Sequence, residues 1–209
     1  MRARSWASCL TGRVSSTSGS ITDRVVKHVA GVVGSEPQRA SVTFLGVEPV
    51  DVLRFVNGDE LVFATVGCAR HPMHDPNDLA PDPVRGPRAE AVVRMRAVAP
   101  LPGLHKALAT LAAAPAVEGL VLAEDSLIDL QEPLWAGAIC SAFLLTADTE
   151  IADLPLDDPA EPVHFLRAVP ITANEAAWVR LKGAAALRDA WVEAGVDIAD
   201  PTRSAVTPS

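Results

Sequence analysis

The sequence predicts an α+β domain, a mixed and largely antiparallel sheet flanked by helices. Three observations predict it. Asn57-Gly58 sits between two apolar β-branched runs, the strongest short-range hairpin signal, and a tight hairpin makes its strands antiparallel. Strand-like and helix-like segments interleave without strict βα alternation, which argues against a doubly wound parallel sheet. The last third carries a fully punctuated helix start, Thr172-Ala173-Asn174-Glu175, the pattern of a capping box.

Taken in order, Ile21 to Val33 reads as a first helix, with Thr22 or Asp23 as its N-cap and Val25, Val29 and Val32 as its apolar stripe. Ser41–Val47 alternates as a strand. Val50–Val56 and Leu61–Val66 form the hairpin around Asn57-Gly58. Residues 68–88 hold five prolines, too few N–H donors for a ladder, and read as a long loop. In the strand Glu90–Val98, Glu90, Val92, Arg94 and Arg96 share one face, and the two arginines are expected to form a water-facing row.

Leu101–Ala114 reads as a helix that buries Leu104, Leu108 and Leu111 and is stopped by Pro115. Short strands are expected near Leu120–Leu122 and Ser126–Leu130, and longer ones at Ala138–Ala147 and Val163–Val169. After the capping box, Gly183 is expected to separate two helical pieces, the second bearing Leu187 and Trp191 and ending at Gly195. Residues 1–20, ending in the run SSTSGS, are expected to be a disordered tail, residues 21–198 one domain, and residues 199–209 a flexible C-terminal tail.

With 209 residues the chain can bury about two thirds of its unfolded surface, enough for a core without staples. Its net charge of −8 disfavours nucleic-acid binding. The base-free stretch 148–161, with Asp148, Glu150, Asp153, Asp157, Asp158 and Glu161, reads as a solvated loop or as a docking patch for a basic partner. No apolar run approaches the roughly 20 residues of a membrane span, and the basic opening lacks an apolar leader region. Cys9, Cys68 and Cys140 are odd in number and widely spaced, which fits a reducing cytoplasm. Arginine outnumbers lysine 15 to 3, a bias expected of a GC-rich bacterial genome.

Phosphate-binding, dinucleotide-binding, nucleophile-elbow and zinc-helix motifs are all missing. One cluster carries chemistry. Cys68, His71, His74 and Asp75 offer a thiolate, two imidazoles and a carboxylate, the donor set of a zinc site or of a metal-dependent enzyme. Arg70 within the cluster opposes a dication, and a loop with surface histidines is the competing reading. His164, on an apolar strand, reads as a packed core or edge residue.

Six segments in order resemble the Suppressor of fused domain: VTFLGVEPVDVLRF (42–55), ELVFATVGCARHPM (60–73), AEAVVRMR (89–96), GLHKALATLA (103–112), PVHFLRAVPITANEAAW (162–178) and KGAAALRDAW (182–191). The resemblance implies a mixed sheet flanked by helices and a non-enzymatic protein-binding module without cofactors. The animal member of that family restrains a zinc-finger transcription factor of Hedgehog signalling, gripping a short peptide partly by strand addition. Many bacterial members are stand-alone domains, and some are proposed as immunity proteins that neutralise toxins. In the animal protein a second, C-terminal domain helps to hold the peptide; it is absent from this sequence. Arg70 stands where the family carries an acidic residue, which argues against recognition of the animal ligand. Cys68 stands where the family carries a large apolar residue, which favours a buried thiol. The expected partner is therefore a protein, a toxin or a peptide added to a sheet edge, with Arg70, His71, Asp75 and Arg88 as contact residues.

Overall fold

Thirteen residues with Val25 and Val29 on one side form the first described element, helix α1 (Ile21–Val33). The structure is a computed structural model that describes residues 19–75 and 77–206. Most of the expected N-terminal tail lies outside those residues. The hydroxyl of Ser20 caps α1 by accepting from the Asp23 amide at 3.2 Å, so the cap stands two residues before Thr22. Strands β1 (Gln38–Phe44), β2 (Val47–Asn57), β3 (Glu60–Val66) and β4 (Arg88–Arg96) follow, with a single 3-10 turn (Cys68–Arg70) after β3. Helix α2 (Leu104–Glu118), strands β5 (Leu127–Asp129), β6 (Cys140–Ala147) and β7 (Val163–Thr172), and helices α3 (Ala173–Lys182) and α4 (Ala184–Glu193) complete the described residues.

The seven strands form one sheet in the order β1-β2-β3-β4-β7-β6-β5. Every neighbouring pair is antiparallel except β4 and β7, which run parallel with Arg88 opposite Val163 and Val92 opposite Arg167. The mixed, largely antiparallel sheet flanked by helices is the predicted fold class.

Period-2 alternation sorts the side chains onto two faces. Val52, Phe63, Ala91, Val93 and Phe143 pack under Leu104, Leu108 and Leu111 of α2. On the other face α1 covers Leu53, Phe55, Val62 and Val92, while α3 and α4 cover Leu144, Val169 and Ile171. Three apolar clusters, one on the α2 face and two on the other, supply most of the favourable folding energy.

Several local expectations shift. In the β2–β3 hairpin Asn57 still pairs with Glu60, so the turn residues are Gly58 and Asp59, with Gly58 at φ 62° in the first turn position. Helix α2 begins at Leu104, after Pro102, and runs through Pro115 to Glu118. A proline in the last turn removes only the bond its own amide would have made to the Leu111 carbonyl, while its carbonyl still accepts from the Gly119 amide at 3.0 Å, which closes the helix. No strand forms at residues 120–122.

Arg94 does not face water. It is 5% exposed, with Nε 3.2 Å from Asp148 and Nη1 3.1 Å from Glu150, because the 148–151 turn folds over that face of the sheet. Asp148 is consequently a structural residue whose buried side chain also accepts from the amides of Glu150 and Ile151. Arg96 lies half exposed between Asp197 and Asp200. His164 is an exposed strand residue whose Nδ1 lies 2.9 Å from Asp153.

Residues 199–206, expected as part of a flexible tail, are fastened to the body. Arg203 bonds Glu175 at 2.7 and 2.9 Å and the Pro170 carbonyl at 2.9 Å, and Val206 is buried beside Trp191 and Leu187. Gly183 does separate α3 from α4, at φ 88° and ψ 165°, a region open essentially to glycine alone.

Candidate functional site

The segment that the sequence singles out begins where β3 ends. Gly67, at φ 130°, releases the chain into the 3-10 turn of Cys68–Arg70. Two side chains of the neighbouring strand hold that turn at its two ends. Glu90 accepts from the Gly67 amide at 2.7 Å, the Ala69 amide at 3.0 Å and the Thr65 hydroxyl at 2.6 Å. Two residues earlier on the same face, Arg88 donates to the carbonyls of Ala69 (2.8 Å), Arg70 (3.0 Å) and Val84 (3.0 Å). An acceptor thus meets the orphan amides of a short helical turn and a donor meets its orphan carbonyls. Burial pushes the Glu90 carboxyl up, against the pull of these hydrogen bonds.

On this base the outer residues are arranged. Arg70 lies 2.6 Å from Glu48 and donates to the Pro49 carbonyl at 3.2 Å, tying the turn to the start of β2. His71 is well exposed, its Nε2 3.9 Å from the same Glu48. Asp75 accepts from the amide and the side chain of Asn77 at 2.8 and 2.7 Å, and these bonds draw its carboxyl down. Met73 is buried, its sulfur 3.4 Å from the Leu122 amide. Together the β1–β2 hairpin end, residues 67–75 and the last turns of α2 enclose a cavity of about 580 Å³. Leu45 at the hairpin tip and Leu79 in the following loop stand fully exposed, next in sequence to lining residues Gly46 and Asp78.

Of the four expected contact residues, Arg70, His71 and Asp75 line this cavity. Arg88 does not. It is 3% exposed and holds the turn from beneath, so any effect on a partner passes through the shape of the turn. The alternative zinc set does not assemble. Among the described residues no three His, Cys, Asp or Glu side chains converge on a point that could hold a metal. Cys68 packs against the main core, and burial pushes its thiol well above the usual range, first by desolvation and then through the Glu90 charge. A protonated thiol is neither a nucleophile nor a ready ligand.

Sequence reasoning missed the Glu90 and Arg88 supports and the Glu175–Arg203 pair. For Glu90 the signal was present, a carboxylate alternating with Val92 on an apolar strand. Its donors, the amides of a turn 21 to 23 positions away, carry no side-chain signature.

A seven-stranded mixed sheet with helices on both faces, presenting a cavity between a hairpin tip and a braced turn, defines an α+β domain whose candidate site is a shaped surface. The model for the family described as Suppressor of fused protein (SUFU) matches residues 46–204, and the chain belongs to that family. Among solved structures it is similar to a SUFU homologue from Neisseria gonorrhoeae, at 16% identity and TM-score 0.64, over 89% of this chain and 96% of the other. A chain of the Sufu–Fu complex matches at 12% identity and TM-score 0.62, over 88% and 91%. Drosophila Suppressor of Fused matches at 13% identity and TM-score 0.61 over 87% of this chain, which spans 50% of that longer chain. No curated protein matches the chain by sequence.

Proposed function

We propose that this chain is a non-enzymatic protein-binding module that docks a partner on the rim of the 580 Å³ cavity, with the outer edge of β1 open to strand addition. The observation that carries the reading is its membership of a family with a solved member in a Sufu–Fu complex. Local physics supports it. Two fully exposed leucines, Leu45 and Leu79, stand by a concave surface whose polar residues are already braced, so docking there orders little more. As an edge strand, β1 offers unpaired backbone groups along one side.

The finer reading is an immunity protein of the bacterial cytoplasm whose partner is a toxin. The unpaired Cys68 and Cys140 suit a reducing compartment. The test is quantitative co-purification from the native host with wild type and with Leu45→Asp and His71→Ala. Both variants leave the core untouched, and a specific partner falls at least tenfold in Leu45→Asp. Equal recovery with all three proteins overturns the surface. For the toxin reading, co-expression restores growth to cells producing the captured partner, and failure to do so overturns that role alone.

A further inference from the structure

A second concave surface lies at the opposite end of the same sheet face. The β1–β3 strands run on past the N-terminus of α2, leaving a groove of about 690 Å³ with Val52, Val56, Leu61 and Phe63 among its lining. Its charge is anomalous for this protein. The chain carries −8, and the cavity described above and two smaller ones on the α4 side each include carboxylates, yet none of the fifteen residues lining this groove is acidic.

Two features make the groove electropositive. Arg54, half-buried at mid-strand, has only the neutral Gln38 amide oxygen as partner, at 2.8 Å, and no carboxylate within ion-pair distance among the described residues. The N-terminus of α2 opens onto the groove. Its cap, Gly103, supplies no side-chain acceptor, and no acidic residue stands in its first turn. His105, in that turn, lines the groove as well. Val56 and Val98 are 51% and 61% exposed, so apolar surface and unneutralised positive charge coincide.

We propose that this groove binds an extended acidic–apolar segment of a partner protein. Carboxylates of the segment meet Arg54 and the N-terminal end of α2, and its apolar side chains cover Val56 and Val98. An extended peptide fits because Gln38–Ala40 of β1 form one wall, so the groove is continuous with an open sheet edge. The inference rests on the protein-binding reading above but places the segment in a different cavity, with only the β1 edge in common.

The test uses an acetylated, amidated octapeptide alternating Glu and Leu, its counterpart with Lys for Glu, and decanoate. Binding is read by anisotropy and by amide chemical shifts. The Glu peptide is expected to shift Arg54, His105 and the β1 amides, and to bind at least tenfold more tightly than the Lys peptide. Arg54→Gln weakens it about tenfold, as loss of one partly exposed charge-assisted bond predicts, and added salt weakens it further. His105→Glu gives a second variant at a helix-surface position and likewise weakens binding. Equal affinity for both peptides, unchanged affinity in both variants, or shifts produced by decanoate but not by the peptide overturn the proposal. If Leu45→Asp abolishes capture of the native partner while the Glu peptide never reaches Arg54, this inference fails and the first surface stands. If the peptide binds as expected while Leu45→Asp changes nothing, the reverse holds.

Discussion

Two buried glutamates show how one side-chain type is put to opposite electrostatic uses. Glu90 has no cation beside it and depends on amide and hydroxyl donors, and burial raises its carboxyl above the ordinary 4.5. Its contribution to stability is therefore complete below pH 4.5 and is lost as pH rises through the folded value. Glu90→Gln keeps an acceptor for the turn amides, so it stays within about 1 kcal/mol of wild type at pH 4 and gains on it towards pH 7. Glu90→Ala orphans three donors and costs roughly 3 kcal/mol. Urea unfolding at the two pH values separates these outcomes.

Glu175 behaves in the opposite sense. Burial pushes it up, but the bonds from Arg203, the Thr172 amide and Trp191 bring it below 4.5 overall. That stabilisation is present above pH 4.5 and is lost as pH falls through the depressed folded value. Arg203→Met leaves a buried carboxylate without its cation and is expected to cost about 3 kcal/mol at pH 7 and less at pH 4. A loss that is the same at both pH values in urea unfolding refutes the assignment.

Among the elements, legibility followed locality. The β2–β3 hairpin, the capping box and the Gly183 break are written in adjacent residues, and each is where the sequence places it to within a residue or two. Pro115 misled because a proline in the final turn costs only one hydrogen bond, which a glycine cap and apolar packing offset. Arg94 and the 199–206 segment misled because their partners, Asp148 and Glu175, are remote in sequence. Of the candidate site, Arg70, His71 and Asp75 could be read because they crowd one loop. That Arg88 would turn inward could not, because the carbonyls it meets have no sequence signature. At this scale Gly183→Ala is expected to cost about 1–3 kcal/mol, since a Cβ at φ 88° and ψ 165° is strained even with open space around it. A thermal melt shifted by several degrees checks this. Ending the chain at residue 198 removes Arg203 and Val206 together and should destabilise at least as much as Arg203→Met, a result a free tail would not give.

For the whole molecule, the sheet is two antiparallel blocks, β1–β4 and β7-β6-β5, joined along the single parallel seam of β4 and β7. Protection against amide exchange should follow that plan. The β3, β4, β7 and β6 amides, buried on both faces, are expected to exchange slowest, and those of β1 fastest among the long strands. Uniform protection across all strands would contradict it. The seam also orders events during synthesis. When β4 leaves the ribosome, the strand that will close its open side is still unmade, with residues 97–162 to come before it. Until then the nascent N-terminal block carries the bare, unpaired edge of β4, the strand that holds Arg88 and Glu90. Chains arrested before residue 163 should be clients for chaperones and prone to clump, whereas full-length chains are not.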